Sequence, residues 1–228
     1  MIKAVIFDQD NTLVNFWQLR KMSREAAMTA MNDAGLVLSI KDADKVLTEL
    51  EKQYGTEYGE LFQKFLQRVM GRIDWKILAN AVTAYRKMRY SFLEPYPRVM
   101  DTLIKLKANG IKLAIVSDAP RMRGWMRLVA MNLEPFFDAV VFLDDTGKSK
   151  PHKDPFMMAL RKLKVKPEEA MMVGDHLQRD IVGAQKLGMK ACHAKYGFIE
   201  GWSGKVVKGH KPDYEINSIE EVLKIVGI

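Results

Sequence analysis

Residues 2–13 read IKAVIFDQDNTL, an apolar run followed at once by two carboxylates, Asp8 and Asp10. The run predicts a buried strand, and the acidic residues mark the point where the strand ends and a loop begins. Alternate strand residues face the same side, so both carboxylates can point at a common target if the extended backbone continues for two residues. Open α/β sheets bind ligands at this end of their strands. Ordinary turn formation by Asp and Asn is the alternative interpretation of this fragment.

Length and composition indicate a globular protein with one large domain or two unequal ones. The 228 residues are 48% hydrophobic and 28% charged, which is unlike a disordered chain. The N-terminal apolar run is too short for a signal peptide or a spanning helix, so we expect no membrane segment and a cytoplasmic location. The single Cys192 has no second cysteine for a disulfide or a thiolate zinc site, and we expect a packed core thiol.

A net charge of +8 and a pI near 9.4 are compatible with a protein that binds a nucleic acid, with one that binds an anionic substrate, or with one that only has a lysine-rich surface. Basic residues are scattered among acidic ones and form no long basic run, so we expect a solvated surface and no nucleic-acid partner. The same charge would speed the arrival of a small phosphorylated metabolite. Either a monomer or a homodimer is compatible with the sequence, because an apolar helical stripe could pack internally or against a second copy.

The domain organisation follows from a long helical stretch between the first two strands. Apolar residues at helical spacing predict helices over 17–34, 42–54, 58–70 and 75–90. We therefore expect a small helical domain at 15–94, inserted into an α/β domain formed by 1–14 and 95–228. Strands are predicted at 112–117, 139–143, 170–173, 190–193 and 214–216. Between and after them, helices are predicted at 99–109, 122–131, 155–163, 181–187 and 219–226. Residues 196–212 are predicted to be a surface connection.

Polar residues follow four of the predicted strands. After Asp8 and Asp10 come Ser117 behind the second strand, Lys150-Pro151 behind the third, and Asp175 with Asp180 behind the fourth. Right-handed crossovers place the carboxyl ends of parallel strands along one edge of the sheet. We therefore expect these residues to share one site.

The order and spacing of these motifs resemble the haloacid dehalogenase (HAD) superfamily, in its phosphatase branch with a helical C1-type cap. The resemblance covers essentially the whole chain. It implies a doubly wound, Rossmann-like parallel sheet with an inserted α-helical cap domain. The four family signatures match Asp8-Gln9-Asp10-Asn11-Thr12, Ser117, Lys150-Pro151 with Phe156 six residues after the lysine, and Gly174-Asp175 through Asp180.

The resemblance also implies a mechanism, that of a magnesium-dependent phosphatase with an aspartyl-phosphate intermediate. Asp8 is implied to be the nucleophile and Asp10 the general acid and base. Ser117 is implied to hold the phosphoryl oxygens and Lys150 to offset negative charge. The implied ligands of Mg²⁺ are all oxygens, as this ion prefers. They are the Asp8 and Asp175 carboxylates and the Asp10 backbone carbonyl, while Asp180 holds water and the loop.

Several of these assignments leave alternatives open. Lys148 and Lys153 lie in the same segment as Lys150, and Lys153 is its main competitor. Asp180 could instead cap a helix that begins at Ile181. His176 is expected near the metal or the substrate rather than as a ligand.

The first motif also departs from the family pattern at two positions. Gln9 replaces a more usual apolar residue, and Asn11 replaces a common glycine. Both are expected to act mainly through their backbone, and Thr12 is expected to steady the loop.

Among family activities, a hydrolase acting on a sugar phosphate or related metabolite fits best. Asp10 argues against a dehalogenase, because a departing halide needs no proton. A phosphonate hydrolase would need one distinct cap lysine, and none can be singled out. A phosphomutase stays open, as does a basic non-catalytic binding protein with this fold. Residues that could set substrate specificity are chosen by composition only, and they are Trp17, Gln18, Arg20, Tyr85 and Arg89. The alternative is that the aromatic residues pack in a core and the arginines face water.

Overall fold

The computed structural model describes residues 1–205, 208–209 and 211–228. Two compact units make up the chain. The larger combines Met1–Phe16 with Glu94–Ile228, and the smaller is Trp17–Leu93. Among the described helices, none is both long enough and apolar enough to cross a membrane.

The larger unit contains a parallel sheet of six described strands in the order β3-β2-β1-β4-β5-β6. This doubly wound order confirms the predicted Rossmann-like α/β fold. All four residues of β1 and all five of β4 are buried, as expected for parallel strands that are covered on both faces. The strands are β1 (Ala4–Phe7), β2 (Lys112–Val116), β3 (Ala139–Val141), β4 (Ala170–Gly174), β5 (Lys190–Ala194) and β6 (Tyr214–Ile216).

Four helices form the smaller unit, although the first residue of α1, Phe16, is counted with the larger unit. They are α1 (Phe16–Asp33), α2 (Ile40–Tyr54), α3 (Leu61–Met70) and α4 (Trp75–Ser91). Ser39 caps α2 by accepting a hydrogen bond from the Asp42 amide, and Asp74 caps α4 in the same way through the amides of Lys76 and Ile77. The apolar faces of these helices form a core of their own, which includes Met28, Met31, Leu47, Phe65 and Leu66.

Two of the candidate specificity arginines are buried inside the smaller unit. Arg20 pairs with Glu51. Arg89 donates to the Tyr85 hydroxyl at 2.5 Å and pairs with Glu57 at 3.2 Å. The alternative interpretation of these two arginines, solvation at the surface, is therefore wrong, because the smaller unit supplies carboxylates that compensate the cost of burying their charge.

The remaining helices lie in the larger unit. Among the described residues, the α- and π-helices are α5 (Val99–Ala108), α6 (Arg121–Ala130), α7 (Leu143–Thr146), α8 (Lys153–Leu163), a π-helix (Leu177–Val182), α9 (Gly183–Gln185) and α10 (Glu221–Val226). Short 3₁₀ helices cover Glu134–Phe136, Pro167–Glu169 and Lys195–Gly197. Together with the sheet they bury a core that includes Ile6, Ala114, Phe156, Met172 and Ile181.

Several predicted helices begin two or three residues away from the observed start, for example the helix predicted over 58–70, which begins at Leu61. Two predicted elements differ for a reason that the structure shows. The predicted strand 139–143 ends at Val141, because the Asp145 carboxylate accepts a hydrogen bond of 2.7 Å from the Phe142 amide and starts α7. The predicted helix 181–187 is replaced by a π-helix that begins four residues earlier, at Leu177, and continues into α9.

Candidate active site

The first and fourth motifs meet at one edge of the sheet in the larger unit. β1 lies between β2 and β4, and Phe7 is in register with Val173. Asp8 and Asp175 therefore follow two neighbouring strands where their carboxyl ends coincide. Three buried residues, Asp8, Asp175 and Asp180, each place a carboxylate oxygen within 4.8 Å of the other two.

Lys150 lies between two of these carboxylates. Its Nζ donates to Oδ1 of Asp8 at 2.5 Å and lies 2.7 Å from Oδ1 of Asp180. It also donates to the Val116 carbonyl at 2.9 Å, which fixes the ammonium group at the end of β2. Lys153, the competing lysine, is exposed in the first turn of α8. The structure thus places Lys150, and not Lys153, against Asp8.

Burial and mutual charge set the protonation of this pair. Burial raises the pKa of Asp8 well above its usual value, and nearby carboxylates add to the rise against the opposing effect of Lys150. Burial alone would lower the pKa of Lys150, but the carboxylates of Asp180 and Asp8 outweigh it and raise that pKa. The lysine is therefore held as a cation beside the candidate nucleophile.

Asp175 is held by residues that the sequence did not indicate. Ser203 donates to its Oδ2 at 2.5 Å, and Nε2 of His193 lies 3.2 Å from its carbonyl oxygen. Burial, together with nearby Asp180, raises the pKa of Asp175 to about 7. The prediction that 196–212 is only a surface connection is wrong at Ser203, which is fully buried. A lone serine in a glycine-rich stretch carries no signal of this long-range contact.

Asp180 is fixed by the backbone after β4. Its Oδ2 accepts a hydrogen bond of 3.0 Å from the His176 amide. A Cβ on Gly174 would lie 2.3 Å from the same oxygen, so only glycine fits there. Asp180 does not cap a helix that begins at Ile181, because the π-helix already includes it.

The cap of the π-helix is His176. Its Nδ1 accepts from the Arg179 amide at 3.2 Å. Burial lowers the pKa of His176 to about 4, so the ring is neutral at pH 7. The structure thus shows the His176 side chain at the N-terminus of the π-helix, while the expected position near the metal or the substrate stays a prediction.

The loop after β1 turns back on itself within a few residues. Asn11 has φ of 59°, a left-handed conformation that Asn tolerates better than most residues, which explains how it stands where the family often has glycine. Its amide donates to the Val14 carbonyl at 2.7 Å. Thr12 is fully buried, and its carbonyl accepts a hydrogen bond of 2.8 Å from the Tyr196 hydroxyl.

The Gln9 side chain has a contact of its own. Its Nε2 donates to the carbonyl of Gly124 in α6 at 3.0 Å. The expectation that Gln9 acts mainly through its backbone is therefore wrong, since the amide group replaces an apolar contact with a hydrogen bond inside the core.

The remaining predicted residues, Ser117 and Asp10, differ in burial and in hydrogen-bond partners. Ser117 is buried directly after β2, and its Oγ accepts from the Ala119 amide at 3.2 Å. The Asp10 side chain is partly exposed, and its Oδ2 accepts from Arg127 at 2.9 Å. Asp10 is thus the one predicted acidic residue whose side chain lies outside the cluster of Asp8, Asp175 and Asp180.

The clustered side chains fit a hard divalent cation. Three buried carboxylates lie together and Lys150 contacts two of them, Asp8 and Asp180, so these four groups include three acidic side chains and one basic one. Burial raises the pKa of Asp8 and of Asp175, and the neighbouring carboxylates add to the rise. Carboxylate oxygens are the donors that such a cation takes in proteins.

Comparison with known proteins agrees with this geometry. The family model for haloacid dehalogenase-like hydrolases matches residues 5–194. The chain belongs to this family. It is 34% identical to the glyceraldehyde 3-phosphate phosphatase of Methanocaldococcus jannaschii over 226 residues, which cover 99% of this chain and 97% of the relative. Identity to the protein of the same name from Methanopyrus kandleri is 36% over 228 residues, with 99% and 97% covered.

A solved HAD phosphatase from Thermococcus onnurineus has the same fold. It superposes with a TM-score of 0.67 at 26% identity, covering 99% of this chain and 98% of that one. The resemblance of the motifs to the HAD superfamily is therefore confirmed, and the chain is a phosphoric monoester hydrolase of the HAD type. A basic binding protein without activity is the weaker alternative, because the carboxylates of Asp8, Asp175 and Asp180 lie together as the motifs predict.

Proposed function

We propose that this HAD hydrolase is a Mg²⁺-dependent phosphatase that acts on a small sugar phosphate through an aspartyl-phosphate on Asp8. The observation that carries the proposal is the contact between buried Asp8 and Lys150, with Asp175 and Asp180 beside it. Relatives named glyceraldehyde 3-phosphate phosphatase support a three-carbon substrate of that class.

In the first half of the reaction, a carboxylate oxygen of Asp8 attacks phosphorus and the bond from phosphorus to the substrate oxygen breaks. Asp10 gives its proton to the departing alkoxide. Lys150 lowers the repulsion between an anionic substrate and an anionic nucleophile, because its ammonium group touches Asp8. Ser117, at the end of β2, donates a hydrogen bond to a phosphoryl oxygen.

In the second half, water attacks the phosphorus of the aspartyl-phosphate and Asp10 takes a proton from that water. The bond between phosphorus and the Asp8 oxygen then breaks, which releases inorganic phosphate and restores the carboxylate. Splitting the displacement into two steps lets one carboxylate serve as acid and then as base.

The metal would be held by the carboxylates of Asp8 and Asp175 and by the Asp10 carbonyl, with Asp180 supporting the site. Bound Mg²⁺ supplies positive charge to the phosphoryl group. We further propose that residues 15–94 form the cap domain that selects the substrate and that residues 1–14 and 95–228 form the core domain, in an enzyme that works in the cytoplasm on small phosphorylated metabolites.

The test is phosphate release from a panel of sugar phosphates that includes glyceraldehyde 3-phosphate, with and without Mg²⁺. We expect Mg²⁺-dependent turnover by the wild type and none by Asp8→Asn, which keeps the shape of the side chain but is not a nucleophile. Equal rates for both proteins would contradict the assignment of Asp8 as the nucleophile. Transfer of the phosphoryl group to another position of the sugar, seen by ³¹P NMR without phosphate release, would favour a phosphomutase.

A further inference from the structure

A buried arginine outside the family signatures holds the carboxylate of Asp10. Arg127 lies on α6, 117 residues after Asp10, and its Nη1 donates to Oδ2 of Asp10 at 2.9 Å. Only 3% of the Arg127 side chain is exposed, whereas 24% of the Asp10 side chain is. The contact therefore fixes a carboxylate that reaches solvent to a cation that does not.

The guanidinium is itself fixed on a second side. Its central carbon lies 4.3 Å from the centre of the Phe16 ring, within the range of a cation–π contact. The planar, always protonated guanidinium of arginine can stack on a ring with its face while an N–H on its edge binds a carboxylate. Arg127 thus joins α6, the start of α1 and the first motif at one point of the larger unit.

The helix that carries Arg127 is also held against the first motif. Gln9, the neighbour of Asp10, donates to the Gly124 carbonyl one turn before Arg127. A Cβ on Gly124 would lie 2.0 Å from the Phe142 ring, so the glycine lets this helix pack closely. Two successive residues of the motif therefore hydrogen-bond to the same helix, and the position of the Asp10 carboxylate depends on it.

We propose that Arg127 is the positioning residue of Asp10, an inference that rests on the proposed function. With Oδ2 bound by Arg127, the Asp10 carboxylate cannot rotate freely, and its proton is delivered to the leaving oxygen from a defined place. Loss of this contact lowers the rate of reactions whose leaving group needs that proton. Reactions whose leaving group departs unaided are affected little.

The test compares two substrates through kcat/KM, which reports only the steps up to the first irreversible one, here formation of the aspartyl-phosphate. Glyceraldehyde 3-phosphate has an alkoxide leaving group that needs a proton, whereas 4-nitrophenyl phosphate has a stabilised phenolate. For Arg127→Met we expect kcat/KM to fall about 100-fold with the first substrate and less than about threefold with the second, since general acid catalysis is typically worth about 10²–10⁴.

Three variants control this comparison. Arg127→Lys keeps the charge and is expected to recover part of the loss with glyceraldehyde 3-phosphate. Arg121→Met, an exposed arginine of the same helix, is expected to change neither value. If Arg127→Met does not fold, Phe16→Leu removes the ring from the guanidinium and leaves an apolar side chain in its place, and the same selective loss at a smaller size is expected.

Equal losses with both substrates in a folded Arg127 variant would overturn the positioning role, because a general distortion of the site does not distinguish leaving groups. No loss with either substrate would overturn it as well. Failure of the proposed function is a separate result, since the wild type would then release no phosphate from any substrate with Mg²⁺.

Discussion

Ser203 donates a hydrogen bond of 2.5 Å to Oδ2 of Asp175 from a position 28 residues further along the chain. Its own backbone carbonyl accepts from the Leu177 amide at 2.9 Å, and the Ile199 amide donates to its Oγ at 3.0 Å. These two hydrogen bonds fix the backbone and the hydroxyl of Ser203. The hydroxyl orients one oxygen of a proposed metal ligand.

We expect Ser203→Ala to weaken Mg²⁺ binding by at least about tenfold, because partners that orient a ligand typically contribute about 10–100-fold to metal affinity. Isothermal titration of the purified protein with MgCl₂ measures this without reference to turnover. Ser91→Ala, at an exposed serine of α4, is the matched control and is expected to bind like the wild type. Unchanged affinity in Ser203→Ala would show that Asp175 needs no such support.

Replacing Lys150 by methionine is expected to destabilise the metal-free protein by about 3 kcal/mol, because breaking a buried ion pair from one side leaves its carboxylates uncompensated. Urea denaturation at neutral pH measures the change in the free energy of unfolding. Lys153→Met is the control at an exposed position of α8, with an expected change within about 0.5 kcal/mol.

The same pair of variants tests which lysine serves the reaction. Lys150→Met is expected to lose phosphatase activity and Lys153→Met to keep it. The reverse pattern would mean that the contact between Lys150 and Asp8 is structural only.

Gly197 is expected to tolerate no side chain. A Cβ there would lie 1.6 Å from the carbonyl oxygen of Asn11 and 3.3 Å from the Cβ of Asp175. Because a backbone atom cannot move aside cheaply, Gly197→Ala should displace the first motif and cost about 1–3 kcal/mol or more, the range for overpacked sites. Thermal unfolding measures the loss. Gly59→Ala, where nothing lies within 4 Å of the added carbon, should leave the melting temperature nearly unchanged.

Cys192 is expected to be unreactive in the folded protein. The residue is fully buried in β5, and burial, with a contribution from Glu221, raises the pKa of its thiol to about 12. A raised pKa means that the reactive thiolate is scarce at pH 8, and burial also blocks access. A disulfide reagent such as DTNB should titrate no thiol in native protein and one per chain in guanidinium chloride. Rapid reaction of the native protein would contradict this.

The sequence predicted those features that depend on short stretches of chain. Apolar runs such as Ala4–Phe7 and Lys112–Val116 gave the strands, and the polar residues that follow them gave the site, because parallel strands must end at one edge. The bounds of α7 and of the π-helix were missed, since they depend on single side-chain contacts from Asp145 and His176.

Contacts between distant residues could not be predicted in the same way. Gln9 meets Gly124 and Asp10 meets Arg127 across more than 100 residues, and neither partner has a local pattern that marks it. Arginines on helices normally face water, so burial of Arg127 becomes visible only when α6 packs beside the first motif.

The backbone of Asp8 belongs to the middle of the sheet. β1 is hydrogen-bonded on both edges, and the Asp8 amide itself donates to the Val173 carbonyl at 2.9 Å. Amide protons in such a strand exchange with deuterium only when the whole domain opens. The reacting oxygen is therefore attached to the slowest-exchanging part of the larger unit, and heat inactivation should coincide with global unfolding rather than precede it.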